Sequence, residues 1–210
     1  MSNIINVQRT DGWVGIYEQN DPSLIRDWME YLEPRLLFKR GSFCIASQGV
    51  VNLIATQHIA WIDVHTDQPY QHVITRLPAY GYVDESLALD GRAVFLAELE
   101  SCRMRWRLEY SGQARVGEPF EALIEVLFDG GFEYYLQVKG RLASATERVS
   151  LLNGLLDQGV FLVQRSSGGF TMINTRNVTR ARIYQSHSAD RLPPATLLAE
   201  PRDDDRDFGF

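Results

Sequence analysis

Asp63, His65 and Asp67 stand at i, i+2 and i+4. On an extended strand that spacing puts all three side chains on one face. With His58 before them and His72 after, imidazole and carboxylate are the donor types that hold zinc or another divalent ion. A metal-dependent enzyme on Asp63, His65 and His72 is therefore one reading. A solvated polar face alternating with buried Ile62 and Val64 is the preferred one, because a metal centre needs ligands that converge and spacing along one strand does not supply convergence. No other chemistry is signalled. The chain has no Gly-x-Ser-x-Gly, Cys-x-x-Cys or His-Glu-x-x-His and no Gly-rich phosphate loop with Lys. Ser166-Ser167-Gly168-Gly169 reads as a hairpin turn, and no two carboxylates are paired in a way that implies acid–base work. The expectation is a protein with no catalytic residue, no cofactor and no metal.

Arginine makes a different pattern. Arg103, Arg105 and Arg107 alternate with Cys102, Met104, Trp106 and Leu108. Read as a strand, this sets three guanidinium groups about 6–7 Å apart on one face, with an apolar row behind. Arg176, Arg180 and Arg182 form a second set near the end of the folded part. Together they would suit a phosphate backbone or an acidic protein surface. The alternative is a half-exposed strand whose arginines pair with Glu98, Glu100 and Glu109.

The last eleven residues carry the other feature. Asp203, Asp204, Asp205 and Asp207 precede Phe208, Gly209 and Phe210. Such an end could dock into a basic pocket with Phe208 or Phe210 as anchor, fold back on the arginines, or do no more than solubilise.

Around these residues the sequence predicts mostly strands. Trp13–Tyr17 reads as a strand. Asp21-Pro22-Ser23 opens a helix, with Asp as N-cap and Pro at the first position, and Leu24, Ile25, Trp28, Met29 and Leu32 recur at helical spacing until Pro34. Strands are expected at 43–47, 50–55, 59–65 and 71–77, then a loop over 78–91. Val94–Tyr110 reads as one bent strand or two, followed by strands at 120–128 and 132–142 around Asp129-Gly130-Gly131. Thr146 caps a helix to about Leu156, and strands at 160–164, 170–173 and 178–184 close the fold. Residues 188–210 read as an extended acidic tail.

An internal echo organises this list. Phe43-Cys-Ile-Ala-Ser, a turn and Ile54-Ala-Thr-Gln-His-Ile-Ala-Trp-Ile-Asp can be laid on Phe161-Leu-Val-Gln-Arg, a turn and Ile173-Asn-Thr-Arg-Asn-Val-Thr-Arg-Ala-Arg. Each copy follows a predicted helix, which points to a duplicated unit. The stretch Met172–Ile183 resembles the closing strand–turn–strand of small SH3-like barrels, including the bacterial Sm-like RNA chaperones. That resemblance implies a small β-barrel or half-barrel. The acidic end is similar to the tip of bacterial single-stranded-DNA-binding proteins, which implies a partner-docking tail, although Gly209 rather than Pro precedes the last Phe and two arginines interrupt the acids.

Composition sets the remaining bounds. The chain has 210 residues, 45% hydrophobic and 23% charged, enough for one large or two small folded units. Its only lysines are Lys39 and Lys139, and its net charge is −6. Five acids and two arginines from Glu200 onward account for half of that charge. A nearly neutral body neither announces nor excludes a nucleic-acid binder. No apolar run reaches the roughly 20 residues of a membrane helix, and residues 1–11 lack a signal-peptide apolar region. A cytoplasmic location with no membrane partner is expected. Cys44 and Cys102 both lie in apolar runs and read as two buried thiols.

The expected fold is α+β, mainly β: duplicated small β-barrel or half-barrel units with one helix each, at 1–88 and 89–187, and the tail at 188–210. The expected function is a non-catalytic protein-interaction or assembly scaffold, as a homo-oligomer or part of a larger complex. The runner-up is a sequence-tolerant single-stranded nucleic-acid binder that uses the arginines for phosphates and Trp61, Tyr134 or Tyr135 for stacking.

Overall fold

The computed structural model describes residues 3–47, 49–75, 83–109, 115–142, 144 and 156–186. The fold is α+β and mainly β. In chain order the elements are β1 (Asn3–Arg9), β2 (Val14–Gln19), α1 (Pro22–Tyr31), α2 (Pro34–Leu37), β3 (Ser42–Ser47), β4 (Val50–Ala55), β5 (Ile59–His65), α3 (Gln71–Thr75), β6 (Val83–Leu89), α4 (Arg92–Glu109), β7 (Pro119–Phe128), β8 (Glu133–Arg141), β9 (Phe161–Arg165), β10 (Phe170–Ile173) and β11 (Val178–Gln185). Short 3₁₀ turns at Thr56–His58 and Thr175–Asn177 lead into β5 and β11. Nine strands form one sheet in the order β11-β7-β8-β6-β9-β10-β5-β1-β2, and β3 with β4 makes a separate two-stranded ribbon. The expected acidic tail and the expected helix over 146–156 fall outside the described residues, apart from Leu156.

The strand pairings of the two halves repeat. β1 pairs antiparallel with β2 and β5; β7 pairs antiparallel with β8 and β11. Val7↔Gly15 and Val126↔Tyr134 stand at a constant offset of 119 residues, as from Gly12 to Gly131, and so do the other pairs of these hairpins. The irregularities coincide too. The β1–β5 ladder shifts between Gln8 and Arg9 and passes over Ala60; the β7–β11 ladder shifts between Val178 and Arg180 and passes over Thr179. At the hairpin turns, Arg9 N–H donates to Trp13 O at 3.0 Å where Phe128 N–H donates to Phe132 O at 2.8 Å. The 3₁₀ turns are alike as well: the amide that ends each, Ile59 or Val178, donates to the carbonyl of Thr56 or Thr175. The halves differ where β6 lies. This strand sits between β8 and β9, antiparallel to the first and parallel to the second.

The halves join at β5 and β10, which pair antiparallel with Asp63 opposite Thr171 and Ile62 opposite Met172. Asn174 and Asn177 tie the two 3₁₀ turns together. The Asn174 amide donates to the carbonyls of Thr56 at 3.3 Å and Ile59 at 2.9 Å, and the Asn177 amide to those of Gln57 at 3.0 Å and Ile59 at 2.7 Å. The largest core cluster spans this joint. Val7, Ile62 and Val64 pack with Leu162, Phe170 and Met172, and Ile25 and Met29 of α1 close over them. Helix α1 starts where the sequence predicts, with the Asp21 carboxylate accepting from Ser23 N–H at 2.8 Å. A second cluster fills the interior of the β7–β8–β9 region, around Val126, Leu136 and Phe161.

Four local readings are corrected by the structure. The segment read as strands over Val94–Tyr110 is the helix α4. Phe95, Leu99, Cys102 and Trp106 recur at helical spacing and are its buried residues. That longer period overrides the seven-residue alternation of arginine with apolar residues over 102–108. The segment from Gln71 is the short helix α3, whose Val73 is wholly buried in the first cluster. Tertiary packing overrides the β preference of Val73-Ile74-Thr75. The expected loop over 78–91 contains β6, held by neighbours on both sides despite a sequence of modest strand propensity. Cys102 is buried, but Cys44 is exposed, because β3 turns Phe43, not Cys44, to the core.

One glycine is set by the joint. Gly169 has φ +91°, and a Cβ there would lie 1.9 Å from the Val64 carbonyl oxygen on β5. Gly131 has φ +81° with open space around it. Gly169→Ala is therefore expected to lose more than about 2 kcal/mol, from backbone conformation plus clash. Gly131→Ala should lose only about 1 kcal/mol. Urea unfolding of both variants measures the difference, and equal losses would refute the close approach.

Candidate functional site

The residues weighed as metal ligands are placed by β5 and its neighbours, and among the described residues they form no convergent group. Asp63 is 9% exposed, not solvated as expected. Its Oδ1 accepts from Arg165 at 2.9 Å and from Thr171 Oγ1 at 2.6 Å, and its Oδ2 from Trp61 Nε1 at 3.3 Å. Tyr134 Oη lies 2.7 Å from Thr171 Oγ1, and burial followed by the Asp63 charge pushes its phenol well above the usual range. Arg165 also reaches Asp90 at 3.4 Å. With both oxygens so engaged, Asp63 closes a polar network across the β5–β10 joint. Its charge compensates the buried guanidinium. The His65 ring lies 3.3 Å from the Asn6 amide nitrogen, and burial with the nearby Arg165 charge lowers its pKa. His58 lies in the first 3₁₀ turn against Gln57, His72 is on α3, and Asp67 accepts from the Gln68 amide.

A different trio does converge. One ligand atom each of Glu98, Cys102 and Glu121 lies within 4.8 Å of the others. Helix α4 brings the first two onto the β7–β8 hairpin, which supplies Glu121. The donors around them are already matched. Glu121 Oε2 accepts from Arg105 at 2.5 Å and Trp106 Nε1 at 2.9 Å, and Oε1 from Gln137 at 2.9 Å. Gln137 also donates to Glu98 at 3.2 Å. Cys102 Sγ donates to Glu98 at 3.4 Å. Burial, the Glu121 charge and the hydrogen bond to Glu98 push that thiol up to about 12. The arrangement latches α4 to the sheet through the Arg105–Glu121 ion pair and the hydrogen bonds that Trp106 and Gln137 add to it. The sequence carried a signal for it, the Phe95, Leu99, Cys102 and Trp106 spacing, that the arginine alternation concealed.

The arginines are consequently dispersed. On α4, Arg103 and Arg107 are one turn apart while Arg105 points elsewhere, to Glu121. Arg107 is exposed and Arg103 half-buried. Arg176 is exposed in the second 3₁₀ turn; Arg180 is exposed and Arg182 half-buried on β11, with Arg182 3.5 Å from Glu125. The aromatic residues named for stacking face inward. Tyr134 and Tyr135 are buried, and Trp61 is half-buried between Phe128 and Tyr134, each at 5.2 Å. Asp203, Asp204, Asp205, Asp207, Phe208 and Phe210 lie outside the described residues.

What the fold leaves open are strand edges. Among the described residues β4 pairs only with β3, and β11 only with β7. On β4, Val50, Val51 and Leu53 are 53%, 63% and 68% exposed. The run Val50–Ala55 carries no charge and no proline, so it lacks the usual devices that blunt an edge. Val51 and Leu53 stand opposite Ala46 and Cys44, which are also exposed; together they give the ribbon an apolar outer face. Beside β11 an apolar cleft of about 30 Å³ is lined by Ile124, Val126, Leu136, Phe161, Val178 and Ala181, among others. It is too small for an ordinary small-molecule ligand. No helix among the described residues is long and apolar enough to cross a membrane.

Two measurements check these placements. In the native protein one thiol, Cys44, is expected to react with a thiol reagent near pH 8, and Cys102 only after denaturation; two fast-reacting native thiols would contradict the buried latch. For Glu121, burial alone would raise the carboxyl, but hydrogen bonds from Trp106 and Arg105 and the Arg105 charge hold it below its ordinary 4.5. A depressed carboxylate stabilises the fold above its unfolded pKa and loses that contribution as pH falls through the folded value. Glu121→Gln is therefore expected to cost about 1–3 kcal/mol at neutral pH. The gap to the unaltered protein should narrow below pH 4.5, as read by urea unfolding across pH.

No protein-family model, no curated protein and no solved structure matches this chain.

Proposed function

We propose that this chain is a non-catalytic assembly protein, built from two copies of one β-rich unit, whose uncovered strand edges bind protein partners. The β4 edge carries this reading. An uncharged, proline-free edge strand with three large apolar residues more than half exposed is a ready template for pairing with another chain. The constant register offset between β1–β2–β5 and β7–β8–β11 supports the two-unit reading. The ion pairs support a scaffold, since Asp63 with Arg165 and Glu121 with Arg105 join separate elements. The order within each unit, a hairpin followed by a second hairpin, a 3₁₀ turn and a closing strand against the first, suits a small barrel of the SH3-like kind.

The test compares the unaltered protein with a variant carrying Val51→Lys and Leu53→Glu. Each is isolated by an affinity tag from the cells that make it and weighed by native mass spectrometry. Both positions are exposed, so the variant is expected to fold. The expected result is a multi-chain complex, of its own or other chains, for the unaltered protein and its loss in the variant. Isolation of both as lone monomers would end this reading.

A further inference from the structure

The β5–β10 joint within one chain is the pattern for a joint between chains. We propose that β4 of one copy adds antiparallel to β11 of the next, so that copies assemble head to tail; this rests on the scaffold reading and names its partner as a second copy of the same chain. By the 119-residue offset, β4 corresponds to β10, and β11 to β5. Within the chain, Phe170 lies opposite Val64, Thr171 opposite Asp63, Met172 opposite Ile62 and Ile173 opposite Trp61. The corresponding contacts between copies put Val51 opposite Ile183, Asn52 opposite Arg182, Leu53 opposite Ala181 and Ile54 opposite Arg180.

Burial marks what the internal joint has and the open ends lack. Phe170 and Met172 are both 0% exposed, and so are Ile62 and Val64 opposite them. Their counterparts Val51 and Leu53 are 63% and 68% exposed, and Ala181 and Ile183 are half-buried. The receiving side has a matching hollow. Within the chain Met172 packs in one cluster with Ile62 and Val7. The counterparts of those two, Ala181 and Val126, line the apolar cleft beside β11. Leu53 is the side chain placed to enter it. Polar groups also match, since the Asn52 amide oxygen can accept from the Arg182 guanidinium where Thr171 and Asp63 meet inside the chain.

Each copy offers one β4 and one β11, so the contact is heterologous, and it closes into a ring or runs on as a filament. This differs from a two-fold pairing of β4 with β4, which would bury the same apolar face but leave β11 open.

The experiment uses the full chain alone. Light scattering after size exclusion is expected to give a mass several times 23.9 kDa for the unaltered protein. Val51→Lys with Leu53→Glu should return it to the single-chain mass with unchanged circular dichroism. Ile16→Glu, on the 70%-exposed position of β2, should leave the multimer intact. Register is read with cysteine variants in a Cys44→Ser background. Leu53→Cys and Ala181→Cys proteins should form a disulfide when mixed and none when each is oxidised alone. A monomer at every concentration overturns the head-to-tail assembly. Cross-linking of Leu53→Cys with itself overturns it in favour of β4–β4 pairing. A protein that is monomeric when pure yet multi-chain when isolated from cells removes only the self-assembly and leaves the scaffold reading standing.

Discussion

The pairing of β5 with β10 is the constraint on which the rest of the molecule depends. Among the described strands it is the link that carries the sheet from the second half into β5, β1 and β2. Four residue pairs set its register, and the register is fixed on both faces. On one face Phe170 and Met172 enter the apolar cluster with Val64, Ile62 and Met29. On the other, Asp63 and Thr171 meet across the strands and Arg165 closes over them. A slip of one residue would exchange these faces, pushing a carboxylate into the hydrophobic cluster. The turn into β10 is fitted to the same place, since Gly169 packs against the Val64 carbonyl too closely for any side chain. Asn174 and Asn177 then fasten the 3₁₀ turns of both halves at the end of the joint, both side-chain amides donating to the Ile59 carbonyl.

Helix α4 is held by a second and independent device. Its apolar side meets Leu123 and Tyr135, with Phe95 stacked 4.7 Å from the Tyr135 ring. Its polar side ends in the Glu121 network. A lone carboxylate in that position would be costly. Three donors from Arg105, Trp106 and Gln137 offset the cost and engage both oxygens of Glu121. The same logic applies to Asp63. In both places clustered polar side chains tie separate elements of the fold together. The exposed valines and leucine of β4 are the reverse case: unremarkable in composition, they stand out because the fold leaves them uncovered.

The two halves also show how one pattern serves different ends. Met172 and Leu53 are corresponding residues in corresponding strands, yet one is buried and the other is 68% exposed. The difference lies in what stands next to them. β10 has β5 on its open side, and β4 has no strand there among the described residues. The inserted β6 adds another asymmetry, since it separates β8 from β9 and is covered on both edges. A matching strand register therefore does not imply a matching environment.

The sequence by itself determined much of the local structure. Asp21-Pro22-Ser23 specified the start of α1 by capping chemistry, and Asp129-Gly130-Gly131 the β7–β8 turn by its need for positive φ. The echo of Ile54-x-Thr and Ile173-x-Thr was legible because each directs the same strand–turn–strand backbone. The period of α4 was also written, in Phe95, Leu99, Cys102 and Trp106, but a short arginine alternation spoke against it; only burial against Leu123 and Tyr135 decides between two periods that share a sequence. The β6 strand and α3 were not legible, because their neighbours rather than their own propensities create them. Nor was the pairing of Asp63 with Arg165 and Thr171, or of Arg105 with Glu121, whose members stand 102, 108 and 16 residues apart. Local rules reach a few residues along the chain. Which side chains become buried, paired or left at an open edge is decided by contacts between distant segments, and those exist only once the sheet has formed.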